Sequence, residues 1–451
     1  MAKTSWSGGF GAPKTAPPPP GMAARLLAAQ AVDDVLNRRR TLDAKFEALH
    51  VMSPSSDRDA SLARSIATVA LRRFGGIRKA LAKFMDKGMP KKAGLFEPIL
   101  IAGAAQVMFM ETADHAAVDL SVEAIKRDSA AAPYASLANA VLRNLARAGV
   151  GALEGVDPLD DETPLWLAQR WRQNYGEAGA RAIAKANRAE PTFDLTLKGA
   201  PDEWAARLDA VPLPTGSLRL RGHTPTTALD GFGEGAWWVQ DAAAALPARL
   251  LNAQPGQRAL DLCAAPGGKS AQLAAAGADV VALDKSAERL KRLIANFERL
   301  NLRAEVAVAD AATYVADPFD CVLLDAPCSA TGTIRRHPDV AWFKRSADIA
   351  EMVLLQAKML DRAAGLVRPG GKLAYCVCSL EPEEGENQIA QLLRRNPDMR
   401  RVPVEASEVG GLAECVTAAG DLRTLPSQLW GEDPRLSGLD GFYAARLERK
   451  G

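Results

Sequence analysis

The chain has 451 residues, too many for one ordinary domain, so its length predicts two or three domains. With 48% hydrophobic and 24% charged residues it is typical of a globular protein, and since no run of about 18 apolar residues occurs, we expect no membrane span. The N-terminus lacks a signal-peptide pattern. Four scattered histidines predict no metal site, and six cysteines without a C-x-x-C pair predict reduced thiols in a cytoplasmic protein.

The net charge of +2 is unevenly distributed along the chain. Residues 22–150 contain 19 Lys and Arg against 13 Asp and Glu, whereas residues 151–451 contain 35 against 41. A basic first part followed by an acidic second part indicates a polyanionic partner for the first. Charge by itself fits a solvated basic face equally well.

The first half of the chain changes character twice. Residues 1–21 are rich in Gly, Pro and Ala and predict a disordered tail. Residues 22–150 carry apolar residues at helical spacing, which predicts an all-α domain of six or seven helices with breakers between them, such as Gly75-Gly76. Residues 151–235 contain a Gly/Pro/Asp linker, a helix over 165–189 and short mixed segments, which predict a small α+β connector.

From residue 236 to residue 451 apolar strands alternate with helices, which is typical of an α/β domain with a doubly wound, mostly parallel sheet. The predicted strands are 258–262, 279–283, 304–308, 321–324, 372–377 and a closing strand over 441–446. The predicted helices are 269–275, 288–300, 349–364 and 386–395. We therefore expect a Rossmann-like domain that binds its ligands at the carboxyl edge of the sheet.

A small-residue loop joins the first of these strands to its helix, and it predicts a cofactor site. The loop lets the backbone approach a ligand closely and exposes N–H groups at the helix start. Asp284 ends the next strand, where an acid commonly binds ribose hydroxyls, and Asp310 ends the one after, where it could meet an adenine amino group. The loop is neither G-x-G-x-x-G nor G-x-x-x-x-G-K-[ST], the patterns that bind the phosphates of a nucleotide. A nucleoside cofactor without a pyrophosphate therefore fits better, and S-adenosylmethionine is the obvious one. The expected cofactor-binding residues are Cys263 (through its backbone), Ala264, Ala265, Pro266, Gly267, Gly268, Lys269, Asp284, Asp310 and Asp325.

Two cysteines follow later strands of the same predicted sheet. Cys328 lies in the run Asp325-Ala326-Pro327-Cys328, and Cys378 precedes Ser379 and an acidic stretch. Both thiols should therefore lie at the edge where the cofactor loop lies. Two thiols beside a cofactor indicate covalent chemistry on an unreactive ring carbon.

Three segments together resemble the signatures of RNA cytosine-5 methyltransferases: residues 261–269 (DLCAAPGGK), 324–332 (LDAPCSATG) and 378–387 (CSLEPEEGEN). The RsmB group (also called Sun or Fmu), which methylates small-subunit ribosomal RNA, is the most similar. Residues 22–150 resemble the NusB RNA-binding fold, through the runs 113–118 and 137–144. The resemblance covers nearly all of the chain after the tail and implies a cytoplasmic enzyme, for which we expect a monomer.

The resemblance also implies roles for three residues. Cys378 would be the nucleophile that adds to C6 of cytosine, which makes C5 reactive enough to take a methyl group. Cys328 would assist the release step, and Asp325 would hydrogen-bond the N3/N4 edge of the base. Such chemistry requires a flipped or unpaired cytosine.

Several alternatives remain open at the level of sequence. Cys376 departs from the small residue usual in the family and shares a strand face with Cys378, so either thiol could act, although the motif favours Cys378. The substrate could be transfer RNA or large-subunit RNA, or the chain could be a non-catalytic RNA-binding or antitermination factor; DNA methylation is a further possibility. Some side chains could contact RNA or be structural: Trp237, Trp238, Arg335, Arg336, Trp342, Lys344 and Arg345.

Overall fold

The computed structural model describes residues 19–52, 57–199, 201–222 and 224–451. Most of the predicted tail, residues 1–18, lies outside the described residues. The described chain forms two compact units. The first contains the residues up to Ala70 and Ile77–Glu154, and the second contains Leu71–Gly76 and the residues from Gly155 onward. None of the helices in the described ranges is long and apolar enough to cross a membrane.

The first part of the chain is helical, as predicted. Seven helices are described up to Ala148: α1 (Met22–Arg38), α2 (Leu42–Met52), α3 (Asp57–Arg72), α4 (Phe74–Ala82), α5 (Phe96–Phe109), α6 (Asp114–Arg127) and α7 (Ala135–Ala148). Helix α5 is apolar on all sides and packs against α1, α6 and α7. A Cβ at Gly103 of α5 would lie 2.5 Å from Ser121 Oγ, so this glycine permits the close approach of α6.

The predicted helix break at Gly75-Gly76 is wrong. Helix α3 ends at Arg72, and both glycines lie inside α4. The reason is tertiary: a Cβ at Gly75 would lie 1.8 Å from the carbonyl oxygen of Asp161. The glycines are therefore needed for close backbone packing within the second unit rather than for a turn.

The predicted small α+β connector is confirmed. It contains α8 (Leu165–Asn187), β1 (Asp194–Leu197), α9 (Asp202–Ala205), β2 (Ala210–Pro212), β3 (Leu218–Leu220) and β4 (Trp237–Val239). Helix α8 is interrupted at Gly176, which has a φ of 70°. The strands form an antiparallel sheet in the order β2-β3-β1-β4. Trp237 is fully buried in its core.

The last part of the chain is an α/β domain, as predicted. Its helices are α10 (Leu246–Leu250), α11 (Gly268–Ala275), α12 (Ala287–Arg299), α13 (Val340–Phe343), α14 (Ser346–Gly365) and α15 (Glu386–Arg395). Its strands are β5 (Arg258–Asp261), β6 (Asp279–Asp284), β7 (Glu305–Val308), β8 (Phe319–Asp325), β9 (Val367–Val377), β10 (Met399–Arg401), β11 (Leu422–Thr424) and β12 (Phe442–Arg449).

The eight strands form one mixed sheet in the order β10-β12-β9-β8-β5-β6-β7, with β11 also paired to β12. Strands β5 to β9 are parallel, whereas β12 runs antiparallel to β9, β10 and β11. After β5 the chain forms β6 and β7 on one side of β5, and it then crosses over to form β8 and β9 on the other side of β5. This reversal is a topological switch point, and the crevice beyond the carboxyl ends of β5 and β8 is where such sheets bind ligands.

Helices cover both faces of this sheet because its strands are apolar on both sides. Alternate residues of the central strands point to opposite faces, so Leu323 packs with α10, α11 and α12, whereas Leu324 packs with α14 and α15. Burial of both faces fixes the strand register, since a slip by one residue would exchange the two faces. The carboxyl ends of β5, β8 and β9 are thereby held side by side.

Candidate active site

The loop after β5 is the predicted cofactor loop, and a tight glycine turn gives it its shape. Gly267 has a φ of 108°, and a Cβ there would lie 3.0 Å from Leu293 Cγ, so only glycine fits without strain. Gly267 N donates to Ala264 O at 2.8 Å, which closes the turn, and α11 begins at Gly268. The loop therefore delivers the start of α11 to the switch point.

Asp261, the last residue of β5, holds the cofactor loop through two hydrogen bonds. It is 1% exposed, and its carboxylate accepts from Ser270 Oγ at 2.7 Å and from Cys263 N at 3.4 Å. Burial raises the pKa of Asp261 to about 6, because the charged form loses solvation. Sequence reasoning did not single out Asp261, which joins both ends of the loop.

Asp284 and Asp310 lie where the sequence predicted, at the ends of β6 and β7. Asp284 is buried, and its Oδ2 lies 3.1 Å from Arg289 Nη1. Arg289 also donates to the carbonyl of Ala265, so it ties Asp284 to the cofactor loop. Asp310 is exposed, and its Oδ1 accepts from Ala312 N at 2.8 Å.

A cavity of about 250 Å³ brings the predicted cofactor and catalytic residues together. Its walls include Asp284, Asp310, Asp325, Cys328 and Cys378. A second cavity, of about 420 Å³, is lined by the other predicted residues of the loop. It extends to Trp238 of β4 and to Gln240, which directly follows β4. The two cavities share Cys263, Ala265 and Asp325 in their walls.

The two predicted thiols are neighbours. Cys328 follows β8, Cys378 follows β9, and their Sγ atoms lie 3.5 Å apart. The hydrogen bond with Cys378, together with burial, raises the pKa of Cys328 well above its ordinary value. Cys328 therefore holds its proton at neutral pH, and either sulfur of the pair can be the hydrogen-bond donor.

Asp325 lies beside the thiols and is held by two neighbours. Lys269 Nζ donates to its Oδ2 at 2.7 Å, and Cys376 Sγ donates to its Oδ1 at 3.4 Å. Burial by itself would lower the pKa of Lys269, but the Asp325 carboxylate raises it, and the net shift is upward. Lys269 was predicted as a cofactor residue from its place in the loop; the structure gives its amine a carboxylate partner.

Cys376 differs from Cys378 in its surroundings, although Cys376 lies among the last residues of β9 and Cys378 directly follows the strand. Cys376 is fully buried, and Asp325 lies opposite it in the parallel register of β8 and β9. Burial, followed by the nearby Asp325 carboxylate, raises the pKa of Cys376 well above its ordinary value. Cys376 is therefore a neutral thiol at physiological pH, whereas a thiolate is needed for attack.

Arg335 is buried and the Arg336 side chain is 17% exposed, and both are held by acids, which favours the structural role that the sequence left open. Arg335 is 2% exposed and lies 3.3 Å from Asp440. Arg336 donates to Asp241 Oδ2 at 2.6 Å and to both oxygens of Asp440 at 3.1 Å. These ion pairs join the turn after the Cys328 loop to the connector and to the segment before β12. Sequence showed two adjacent arginines but not the acids that meet them from distant segments.

The tryptophans proposed for base stacking are also mainly structural. Trp237 and Trp238 are buried, with indole N–H groups that donate to Asp230 O and Gln240 Oε1, each at 2.8 Å. Trp342 is half-buried and donates to Leu71 O at 2.8 Å. Arg345 is exposed, and its contact with RNA stays a hypothesis.

The fold and site are those of a Rossmann-like methyltransferase joined to a helical NusB domain. Family models match residues 248–448 as "16S rRNA methyltransferase RsmB/F" and residues 22–147 as the NusB family. A protein from Cronobacter sakazakii named "Ribosomal RNA small subunit methyltransferase B" is 33% identical, over 94% of this chain and 98% of its own length. One of the same name from Klebsiella pneumoniae is 36% identical, over 83% and 90%.

Solved structures agree on the fold. The crystal structure of PH0851 has a TM-score of 0.74 and 22% identity, and the match covers 97% of this chain and all of that chain. A methyltransferase homolog from Pyrococcus horikoshii has a TM-score of 0.52 and 25% identity, over 63% of this chain and 94% of that chain. The family model and the two curated relatives show that the chain belongs to the RsmB/F family of rRNA methyltransferases.

Proposed function

We propose that this enzyme transfers a methyl group from S-adenosylmethionine to C5 of a cytosine in 16S rRNA, through a covalent bond between C6 and Cys378. The observation that carries the proposal is the pair of thiols 3.5 Å apart, in the wall of the cavity that also contains Asp284 and Asp310. One thiol would suffice to attack the base. A second thiol beside it is suited to the release step that must follow.

The residues around the cavity fit the cofactor by their chemistry. Asp284 and Asp310 offer carboxylate oxygens, which are acceptors for the ribose hydroxyls and the adenine amino group. The residues from Cys263 to Lys269 supply a close-approaching backbone and the start of α11. When bound, the cofactor supplies an electrophilic methyl group on a sulfonium sulfur.

The chain's own residues would carry the remaining chemistry. The Cys378 thiolate forms a bond to C6 while Asp325 holds the N3/N4 edge of the base, so the electron pair moves to C5. C5 then takes the methyl group. For the release step, Cys328 first gives its own proton to solvent and then takes the C5 proton as the C6–S bond breaks. The C5–H electron pair restores the ring double bond, and the C6–S pair returns to Cys378 as a thiolate. Splitting a hard substitution into two easier steps is the advantage of a covalent nucleophile.

Cys376 is better suited to hold Asp325 than to attack. Its S–H is engaged with Asp325 Oδ1, and its side chain has no solvent exposure. Cys378 is partly exposed and lines the cavity. These differences favour Cys378 as the nucleophile.

The choice of 16S rRNA rests on the relatives' names and the accompanying NusB domain. Transfer RNA or large-subunit RNA would use the same chemistry and are the alternative substrates. A non-catalytic RNA-binding or antitermination factor would not need two adjacent thiols, Asp325 and a complete cofactor loop.

Two substitutions test the covalent mechanism with 16S rRNA transcript and cofactor on denaturing gels. Cys378→Ala should form no adduct and no product yet still bind cofactor, whereas Cys328→Ala should accumulate a protein–RNA adduct because release is blocked. Cys415→Ala is the control, since this buried thiol lines neither cavity. An adduct that persists in Cys378→Ala and is absent from Cys328→Ala would reverse the two roles.

The substrate is tested separately in cells. Bisulfite sequencing of ribosomal RNA from a strain that lacks the gene should show one 16S cytosine becoming unmethylated. A complete 16S pattern together with a lost site in transfer RNA or 23S rRNA would assign the enzyme to that RNA instead.

A further inference from the structure

The residues that directly follow the two thiols are joined through one buried carboxylate. Ser329 follows Cys328, and Ser379 follows Cys378. Glu384 accepts from Ser329 N at 2.8 Å, from Ser379 Oγ at 2.5 Å and also from Ser329 Oγ. The two serine hydroxyls lie 3.1 Å from each other. Two loops that belong to different strands thus share one anchor.

The surroundings of Glu384 require a carboxylate. The side chain has no solvent exposure, and among the described residues its hydrogen-bond partners are neutral donors. Gln356 Nε2 donates to Glu384 Oε1 at 3.1 Å and to Pro327 O at 2.9 Å, so it holds the Cys328 loop as well. A carboxylate only accepts, whereas glutamine would place N–H groups where the hydroxyls of Ser329 and Ser379 now donate, so both hydroxyls would have to turn and act as acceptors. Either serine hydroxyl that cannot turn is left without its acceptor, and a buried polar group left unpaired is costly.

The main chain of Glu384 is fixed as well as its side chain. Tyr375 of β9 donates its hydroxyl to Glu384 O at 2.6 Å, and Tyr375 is fully buried in the core. The carboxylate therefore has a rigid base in the sheet. A rigid anchor is needed because a thiol displaced by about 1 Å from its productive position loses about 10²-fold in rate.

We infer that Glu384 is a positioning residue that sets the distance between the Cys328 and Cys378 sulfur atoms. Glu384 lines neither of the two cavities and acts through Ser329 and Ser379. This inference rests on the proposed function for its meaning in catalysis, because the distance between the thiols matters if one attacks C6 and the other assists release at C5. The geometric part can be tested without any RNA.

Phenylarsine oxide provides the RNA-free test, since this trivalent arsenical bridges two nearby thiols and releases one water. Titration of the full-length protein, followed by intact-mass spectrometry, should show one bridged arsenical in the wild type and in Cys376→Ser, and none in Cys328→Ala. Glu384→Gln should weaken the uptake at least tenfold. The matched control is Glu383→Gln, because Glu383 is half exposed and pairs with Arg170 instead. It should behave as the wild type.

The catalytic consequence is read on the same variants with 16S rRNA transcript and cofactor. Glu384→Gln should retain adduct formation better than turnover, so that the adduct fraction rises while product falls at least tenfold. A merely structural role would lower both in proportion to the folded fraction. If Glu384→Gln does not fold, Ser329→Ala replaces it, because this change removes one anchor and keeps the carboxylate.

The outcomes separate the two proposals. Wild-type arsenical uptake and a wild-type ratio of adduct to product in both Glu384→Gln and Ser329→Ala would overturn the inference. A wild-type protein that bridges the arsenical but methylates no RNA would overturn the proposed function and leave the geometric role of Glu384 standing.

Discussion

Gly332 follows the Cys328 loop at a point where three backbone segments meet. Its N–H donates to Cys378 O at 3.0 Å, and its carbonyl accepts from Gly441 N at 2.8 Å. A Cβ at Gly332 would lie only 1.8 Å from Gly441 O, whereas ordinary contact begins at 3.4 Å. Gly332→Ala should therefore push the two backbones apart by roughly 1.6 Å, because neither partner is a flexible side chain.

The size of the effect follows from this displacement. A shift of about 1 Å in a catalytic group costs about 10²-fold in rate, which corresponds to about 2.7 kcal/mol. Separately from this effect on the rate, each of the two weakened backbone hydrogen bonds of Gly332 lowers the free energy of unfolding by about 1 kcal/mol. We expect Gly332→Ala to lower the free energy of unfolding by about 2 kcal/mol and single-turnover methylation at least 10²-fold.

Urea unfolding and single-turnover methylation of 16S rRNA transcript measure the two quantities. Gly365→Ala is the control, since Gly365 ends α14 and a Cβ there meets nothing within 4 Å. This variant should keep wild-type activity and the same or slightly higher stability. Gly332→Ala with methylation within threefold of the wild type and an unchanged unfolding midpoint would refute the reasoning.

Three further predictions concern buried groups. Arg219→Met should cost about 3–5 kcal/mol in urea unfolding, because it removes both guanidinium hydrogen bonds from the buried Asp194 side chain; a loss under 1 kcal/mol would contradict this. The pKa of Asp261, raised to about 6, means that the folded protein binds this proton more tightly than the unfolded chain. The stability that the neutral form contributes is therefore lost as the pH rises from 4 to 7. Over that range the free energy of unfolding of Asp261→Asn should fall by about 2–3 kcal/mol less than that of the wild type. An equal pH dependence of the two proteins would contradict this prediction. Iodoacetamide at pH 8 should label Cys378 in the folded protein and spare Cys376, with peptide mass spectrometry as the readout; preferential labelling of Cys376 would reassign the nucleophile.

The sequence predicted those residues of the site that lie at, or directly after, the end of a strand. The loop after β5, Asp284 at the end of β6 and the thiols after β8 and β9 are fixed by the rule that parallel strands present their carboxyl ends at one edge. The closing strand β12 was also predicted, although its antiparallel pairing with β9 was not. Local pattern and short connections were sufficient for these elements.

Sequence reasoning failed where a side chain's partner lies far along the chain. Arg336 looked like an RNA contact because its partners, Asp241 and Asp440, are about a hundred residues away in either direction. Glu384 was one acid among several in its motif, and nothing local distinguishes it from its half-exposed neighbour Glu383. A motif records which residues are present, but burial decides which of them are available to a ligand.

The sequence by itself determined the all-α and α/β parts, the cofactor loop and the two candidate thiols, because hydrophobic period and motif spacing are local properties. Only the tertiary structure decided that Cys328 and Cys378 are neighbours and that Cys376 is buried in contact with Asp325. It also decided that Glu384 joins the loops that carry Ser329 and Ser379. These facts depend on the pairing of β8 with β9, which brings residues about fifty positions apart into contact. Long-range pairing is set by packing of the whole sheet, and no local segment contains it.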